Sequence, residues 1–199
     1  HIAQHRSTVP EAFSEKLTLE DHQKAADYTT TKVRFGRWMT LYSDIILLLL
    51  WTLGGGLEWL DQYTRTVGWQ PIYTGMAVIL GMMLISSLLE LPFSLYSTFV
   101  IEQRFGFNRT TAKTFVVDLF KGLLLALALG APLIWVVLWL MEQAGSLWWL
   151  YAWVVWTGFG LFIAWAYPTW IAPIFNKFTP LEEGETLTRI NNLLTRCGF

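Results

Sequence analysis

The run FVVDLFKGLLLALALGAPLIWVVLWLM, residues 115–141, decides the fold. A helix rises about 1.5 Å per residue, so about 20 mostly apolar residues cross a bilayer core roughly 30 Å thick. This run is longer than that, and its only charges, Asp118 and Lys121, stand near its start. Working outward, three more stretches meet the same requirement: residues 38–60, 71–91 and 147–170. Lys and Arg fall on alternate sides of them. Arg6, Lys16, Lys24, Lys32, Arg34 and Arg37 precede the first span, and Arg65 alone separates the first from the second. Arg104, Arg109 and Lys113 separate the second from the third, the third–fourth connection has no Lys or Arg, and Lys177, Arg189 and Arg196 follow the fourth. Cytoplasmic segments carry the Lys/Arg excess, so both termini and the 92–114 connection are expected in the cytoplasm. Trp38, Trp59, Trp69, Trp148, Trp149 and Trp170 stand near span ends, where tryptophan anchors to the interface. The reading is an all-α membrane protein with four transmembrane helices plus amphipathic cytoplasmic helices.

Composition agrees. Of 199 residues 54% are hydrophobic, concentrated in blocks rather than spread with a surface period. A net charge of −1 gives no basic face for nucleic acid, so no nucleic-acid partner is expected. The single cysteine, Cys197, forms no internal disulfide framework and has no local catalytic motif around it. The chain opens on His1 without a signal sequence and stops at Phe199 within an amphipathic stretch, which reads as part of a larger protein.

Three segments follow from this. Residues 1–37 form a polar helical segment, in which Thr18-Leu19-Glu20-Asp21 reads as a capping box before a helix to about Arg34 that lies on the membrane surface or packs on the protein. Gly36 is the expected break before the first span. Residues 38–170 are the four-helix region. Within it, Gly54-Gly55-Gly56 weakens the first span late; close helix packing is favoured over a hinge, and a phosphate loop is excluded because no Lys-Ser/Thr follows. Leu91-Pro92 is expected to end the second span. Residues 93–107 are then amphipathic, Gly106 and Asn108 supply turn chemistry, and Thr110 or Thr111 caps the third span. Asn108-Arg109-Thr110 matches a glycosylation sequon, but the charge pattern puts it in the cytoplasm and sets it aside. Residues 171–199 form a cytoplasmic exit. There Pro173 and Pro180 bracket a short segment, and residues 181–199 resume as an amphipathic helix with Leu187, Ile190, Leu193 and Leu194 at helical spacing. Glu182, Glu183 and Glu185 complement its dipole.

Ionisable groups inside a span are costly and mark a cavity or a partner. Asp118 and Lys121 stand three apart on one helix face, open to reading as an internal ion pair or as a pair facing a polar chamber. Asp44 and Glu90 stand within a turn or two of cytoplasmic ends, where interfacial solvation accounts for them. His1, His5 and His22 are the histidines, no His-Glu-x-x-His occurs, and no Ser or Cys nucleophile has a visible base.

Two stretches exceed generic membrane composition: FSLYSTFVIEQRFGFNR at residues 93–109, continuing to DLFKG at 118–122, and YPTWIAPIFNKFTPLE at 167–182. Both resemble the N-terminal membrane region of the type I CAAX prenyl protease family, from about Pro10 to the end of the chain. The resemblance implies a place in a seven-helix chambered membrane protease, a zinc metalloendopeptidase of bacterial and eukaryotic members. In that family a His-Glu-x-x-His helix and a later Glu hold zinc, which activates water. It implies one membrane helix before His1 and the metal-binding motif after Phe199, so no catalytic and no metal residue is carried over to this chain, which alone is expected to be inactive and to bind no cofactor. What carries over is a role in the chamber wall or toward substrate for Glu102, Arg104, Asn108, Arg109, Asp118, Lys121, Asn176 and Lys177. Packing and ion pairing are the competing account of the same residues. The implied partners are the lipid bilayer, a protein or peptide substrate, prenylated or not, and the downstream catalytic domain of the same protein. The implied location is a bacterial inner membrane, or the endoplasmic reticulum membrane in a eukaryote. The residues leave two other classes open: a transporter or channel, which calls for carboxylates or broken helices near mid-membrane, and a non-catalytic membrane scaffold.

Overall fold

A computed structural model describes residues 6–9, 17–179, 181 and 184–198; the described residues are helical with short connections and no strand. The chain divides into two compact units, residues 1–152 and 153–199.

In the first unit Thr18 caps α1 (Leu19–Trp51). Its hydroxyl accepts from the Asp21 amide at 3.1 Å and donates to the Asp21 carboxylate at 2.6 Å, a variant of the reciprocal box in which the carboxylate meets the hydroxyl rather than the Thr18 amide. The expected break at Gly36 does not occur: α1 runs through it and across the 37/38 boundary. One glycine costs a helix only about 1 kcal/mol, and ring contacts hold α1 on either side, with Phe35 at 5.2 Å from Tyr96 and Tyr42 at 4.7 Å from Phe93.

The break comes instead at the glycine run. Gly55 adopts φ 68°, and α2 (Gly56–Arg65) continues at a 50° bend to α1, so the expected first span 38–60 is a broken one. A Cβ on Gly56 would stand 2.6 Å from the Leu50 carbonyl oxygen, and one on Gly54 would stand 3.0 Å from the Leu49 oxygen. These glycines let the chain fold back on the preceding turn, which corrects the expectation that they serve close packing between helices.

After Gly68 (φ 76°), Pro71 opens α3 (Pro71–Tyr96) from the first turn, where its missing N–H costs nothing. Pro92 does not end this helix. The helical path continues through a wide π turn (Ser97–Glu102) into α4 (Gln103–Phe105), giving a run of 35 residues rather than the 21 positions of 71–91. Membrane helices tolerate an internal proline where the freed backbone group is satisfied locally or by neighbouring helices. Gly106 (φ 76°) ends it: the Gly106 amide reaches the Gln103 carbonyl, and the amides of Phe107 and Asn108 converge on the Glu102 carbonyl. Thr111 then caps α5 (Ala112–Gln143), accepting from the Thr114 amide at 3.1 Å.

Helix α3 is the hub of this unit. A Cβ on Gly81 would stand 3.2 Å from a Leu60 methyl of α2, and one on Gly75 would stand 3.3 Å from a Leu138 methyl of α5. Six residues apart on a helix, these two glycines open different faces. Small residues let helices approach in lipid, where no hydrophobic force drives them together. Trp51 of α1 donates its Nε1 proton to Ser86 Oγ of α3 at 3.0 Å.

A short turn (Gly145–Leu147) leads into α6 (Trp148–Ala166), which crosses the boundary between the units. In the second unit a π turn (Tyr167–Ile171) and α7 (Ala172–Phe175) extend the helical path beyond the expected end at Trp170. Trp165 and Trp170 brace the turn edge to face at 5.1 Å. Helix α8 (Glu185–Arg196) falls within the expected 181–199; Glu182 and Glu183 lie outside the described residues.

By length and composition three helical runs can cross a membrane, at Pro71–Phe105, Ala112–Gln143 and Gly145–Phe175, or four if the bent pair α1–α2 counts as one span. Leu124, Trp156 and Leu161 are among many large apolar side chains left exposed, as lipid-facing surface requires.

Candidate functional site

Four of the polar residues nominated from sequence in the first unit, Glu102, Arg104, Asn108 and Arg109, lie in or just after the stretch where the amphipathic half of α1 meets the end of α3. Lys24, Tyr28, Lys32 and Phe35 recur at four, four and three residues, so one face of α1 presents them all. Opposite stands the 93–107 segment. Tyr28 contacts Phe107 at 4.7 Å and Phe105 at 5.5 Å between ring centroids, and the Lys24 ammonium sits 5.7 Å from the Phe107 ring centroid. The helix therefore packs on the protein, one of the two placements its pattern left open.

Glu102 lies at the centre. Its Oε1 accepts from Lys32 Nζ at 2.9 Å, and the same ammonium donates to Tyr28 Oη at 2.9 Å. The carboxylate side chain is 27% exposed and the lysine 50%, so this is a half-screened pair. Arg104, two residues on, is exposed with its guanidinium 5.8 Å from the Phe105 ring centroid. Asn108 is half-buried. Its Oδ1 accepts from the Thr110 amide at 2.7 Å and its Nδ2 donates to Gln103 Oε1 at 3.0 Å, which fixes the turn between α4 and α5. Arg109 is exposed on that turn. Phe99 meets Phe115 of α5 at 5.6 Å, tying the start of α5 to the same end.

Asp118 and Lys121 pair at 3.6 Å along α5, with about a third of each side chain exposed. The structure thus contains the ion pair that was one of the two readings of these residues. Asn176 and Lys177 belong to the second unit, both exposed; Asn176 closes α7, its amide donating to the Ala172 carbonyl at 3.0 Å.

Sequence reasoning misses the residues that partner this end: it takes Lys24 and Lys32 only as charge before the first span and gives Tyr28 no role. A usable signal existed. Glu102 sits in an aromatic run, where a carboxylate calls for a cation, and α1 offers one on the face that carries its aromatics.

These features define a polytopic α-helical membrane protein whose α1–α3 pair is fastened at one end by aromatic rings and an ion pair. The chain belongs to the CAAX prenyl protease N-terminal family, described with five membrane helices, whose profile matches residues 1–177. A probable CAAX prenyl protease 1 of Schizosaccharomyces pombe is 32% identical over 207 residues, covering 98% of this chain and 44% of that protein. The CAAX prenyl protease 1 of Saccharomyces cerevisiae is 38% identical over 205 residues, covering 96% of this chain and 44% of its own length. The crystal structure of S. mikatae Ste24p superposes with a TM-score of 0.82 at 27% identity, covering 98% of this chain and 47% of that one. The chain spans about half the length of the curated relatives it matches.

Among the described residues no three His, Cys, Asp or Glu side chains come together as a group that could hold a metal ion. The described residues thus offer no set of side chains that would hold a zinc ion. His22 lies on α1, and His1 and His5 lie outside the described residues.

Proposed function

We propose that this chain is the N-terminal membrane-embedded part of a zinc metalloendopeptidase that cleaves prenylated CAAX proteins or other membrane-associated proteins. The observation that carries the reading is the family match over residues 1–177, together with relatives named CAAX prenyl protease along nearly the whole chain. It favours a protease over a transporter, a channel or a non-catalytic scaffold. Zinc and the catalytic groups are assigned to the parent protein outside this chain, which alone is inactive. The division into a polar segment 1–37, a membrane region 38–170 and an exit 171–199 leading into the protease domain belongs to the same proposal, with the 37/38 boundary crossed by one continuous helix.

In this account both termini and the connection between α3 and α5 are cytoplasmic, in a bacterial inner membrane or the endoplasmic reticulum. The positive side supports that orientation. Glu102, Arg104, Asn108, Arg109, Asp118, Lys121, Asn176 and Lys177 shape the chamber wall or help hold an extended substrate. For Glu102, Asn108 and Asp118 the pairings above favour shaping the wall over touching substrate. Replacing each of the eight with Ala in the complete enzyme is expected to change cleavage or folding at several positions; no change in either at any of them would defeat the role. The assignment of the parent is tested more simply, since a His-Glu-x-x-His within about the next hundred residues of the parent sequence is required and its absence overturns the protease reading.

A further inference from the structure

Helix α1 carries a second face. At about 100° per residue, Arg34, Arg37, Trp38, Leu41, Ile45 and Leu48 fall within a sector of about 100°, roughly 130° round the helix from the Lys24–Phe35 face that meets α3. All six are exposed, Trp38 to 67% and Leu48 to 63%. The face changes character once: two guanidinium groups stand at its polar end, an indole follows, and the remainder is aliphatic. Its axial distances match one bilayer leaflet. From Trp38 to Leu48 the helix rises about 15 Å, half of a hydrocarbon core about 30 Å thick. Arg34 stands about 6 Å above Trp38, inside a headgroup layer about 5–7 Å deep, and indoles favour that boundary.

The two arginines lack a counter-charge in the protein. Among the described residues Arg6, Lys32, Arg65, Lys121 and Arg189 each meet a carboxylate, and neither Arg34 nor Arg37 does. Their own helix places no Asp or Glu three or four residues from either one. Asp44 is exposed at the edge of the same face, but it stands about 10 Å deeper than Arg37 along the axis. Glu102 is held by Lys32. Arg34 and Arg37, three apart, are neighbours of like charge, and an anion shared between them relieves their repulsion. The guanidinium fork matches phosphate oxygens two at a time. A zwitterionic headgroup brings an ammonium of its own to that phosphate, whereas an anionic one leaves it wholly to the arginines.

We propose that Arg34, Arg37 and Trp38 bind the headgroup of an anionic phospholipid whose acyl chain lies along Leu41, Ile45 and Leu48. This rests on the membrane reading and does not need the protease reading. The test uses the full-length protein in detergent with equal amounts of phosphatidylglycerol and phosphatidylcholine of the same chains, the retained lipid being counted by native mass spectrometry. A basic residue at the membrane surface favours an anionic lipid about five-fold. The wild type is therefore expected to retain phosphatidylglycerol at least five-fold over phosphatidylcholine. Arg34→Gln with Arg37→Gln should bring the two lipids to within about two-fold, and Arg34→Lys with Arg37→Lys should keep most of the preference. Both positions are exposed, so these changes disturb no packing. Lys24→Gln with Arg104→Gln removes the same charge beyond the Lys32–Glu102 pair, farther from the bilayer, and should leave the ratio at the wild-type value. A wild type without preference overturns the proposal, as does a preference that survives the double Gln change at 34 and 37. An equal loss in the Lys24/Arg104 variant overturns it too, since that result belongs to diffuse positive charge and not to a site.

Discussion

The two ends of the α1–α3 pair are fastened by different physics. At the polar end Lys32 bridges Tyr28 and Glu102, and the rings of Tyr28, Phe35, Phe93, Tyr96, Phe105 and Phe107 meet at tilted and edge-to-face angles between the helices. At the apolar end one indole–hydroxyl bond, Trp51 to Ser86, does the joining, and nearby glycines of α3 replace side chains where α2 and α5 touch it. Rings and charges help where water competes. In lipid, where burying apolar surface gains nothing, close approach and satisfied backbone decide stability. The difference teaches that a substitution's cost depends on which end it strikes.

The largest effect is expected at the break. Gly56→Val places a Cβ at 2.6 Å from a backbone oxygen that cannot swing away, and should cost more than about 3 kcal/mol or abolish folding. Gly36→Ala, with nothing within 4 Å of the new carbon, should be neutral or stabilising by up to about 1 kcal/mol. Thermal unfolding of the detergent-solubilised protein measures both, and equal responses would erase the distinction between the two glycines. Next comes Gly81→Leu, which drives a side chain into Leu60 and should cost about 1–3 kcal/mol by the same assay.

Smaller effects separate the two fastenings by salt. Lys32→Met should cost about 0.5–1 kcal/mol, with the loss shrinking as ionic strength rises. Trp51→Phe should cost about 0.6 kcal/mol at any salt concentration. A salt-independent loss at Lys32 would show that its aromatic contacts, not its charge, hold that end. Lys121→Gln, which leaves a pair a third exposed, should fall below about 0.5 kcal/mol.

The apolar runs, the caps at Thr18 and Thr111 and the turn at Gly106 were legible because each is a local property of the chain. Helix ends were less so. Gly36 and Pro92 break isolated helices, but here ring contacts between α1 and α3 flank both residues and the helices run on through them. The glycine run was seen but misassigned, since composition cannot tell a glycine that meets a neighbouring helix from one that meets its own preceding turn. At the candidate site Glu102 and Asn108 were found by their motif, while Lys24, Tyr28 and Lys32 were passed over. Their role exists only because an element 70 residues away in sequence folds back against them.

The central claim, that this chain is the membrane portion of a CAAX protease, is tested most directly by expressing the full-length parent in membranes lacking their own such activity. A farnesylated peptide ending in a CAAX box is supplied, and release of its C-terminal tripeptide is followed. The account predicts release that falls when a metal chelator is added and returns with zinc. A folded, membrane-inserted parent that leaves prenylated and unprenylated peptides alike uncut would contradict it.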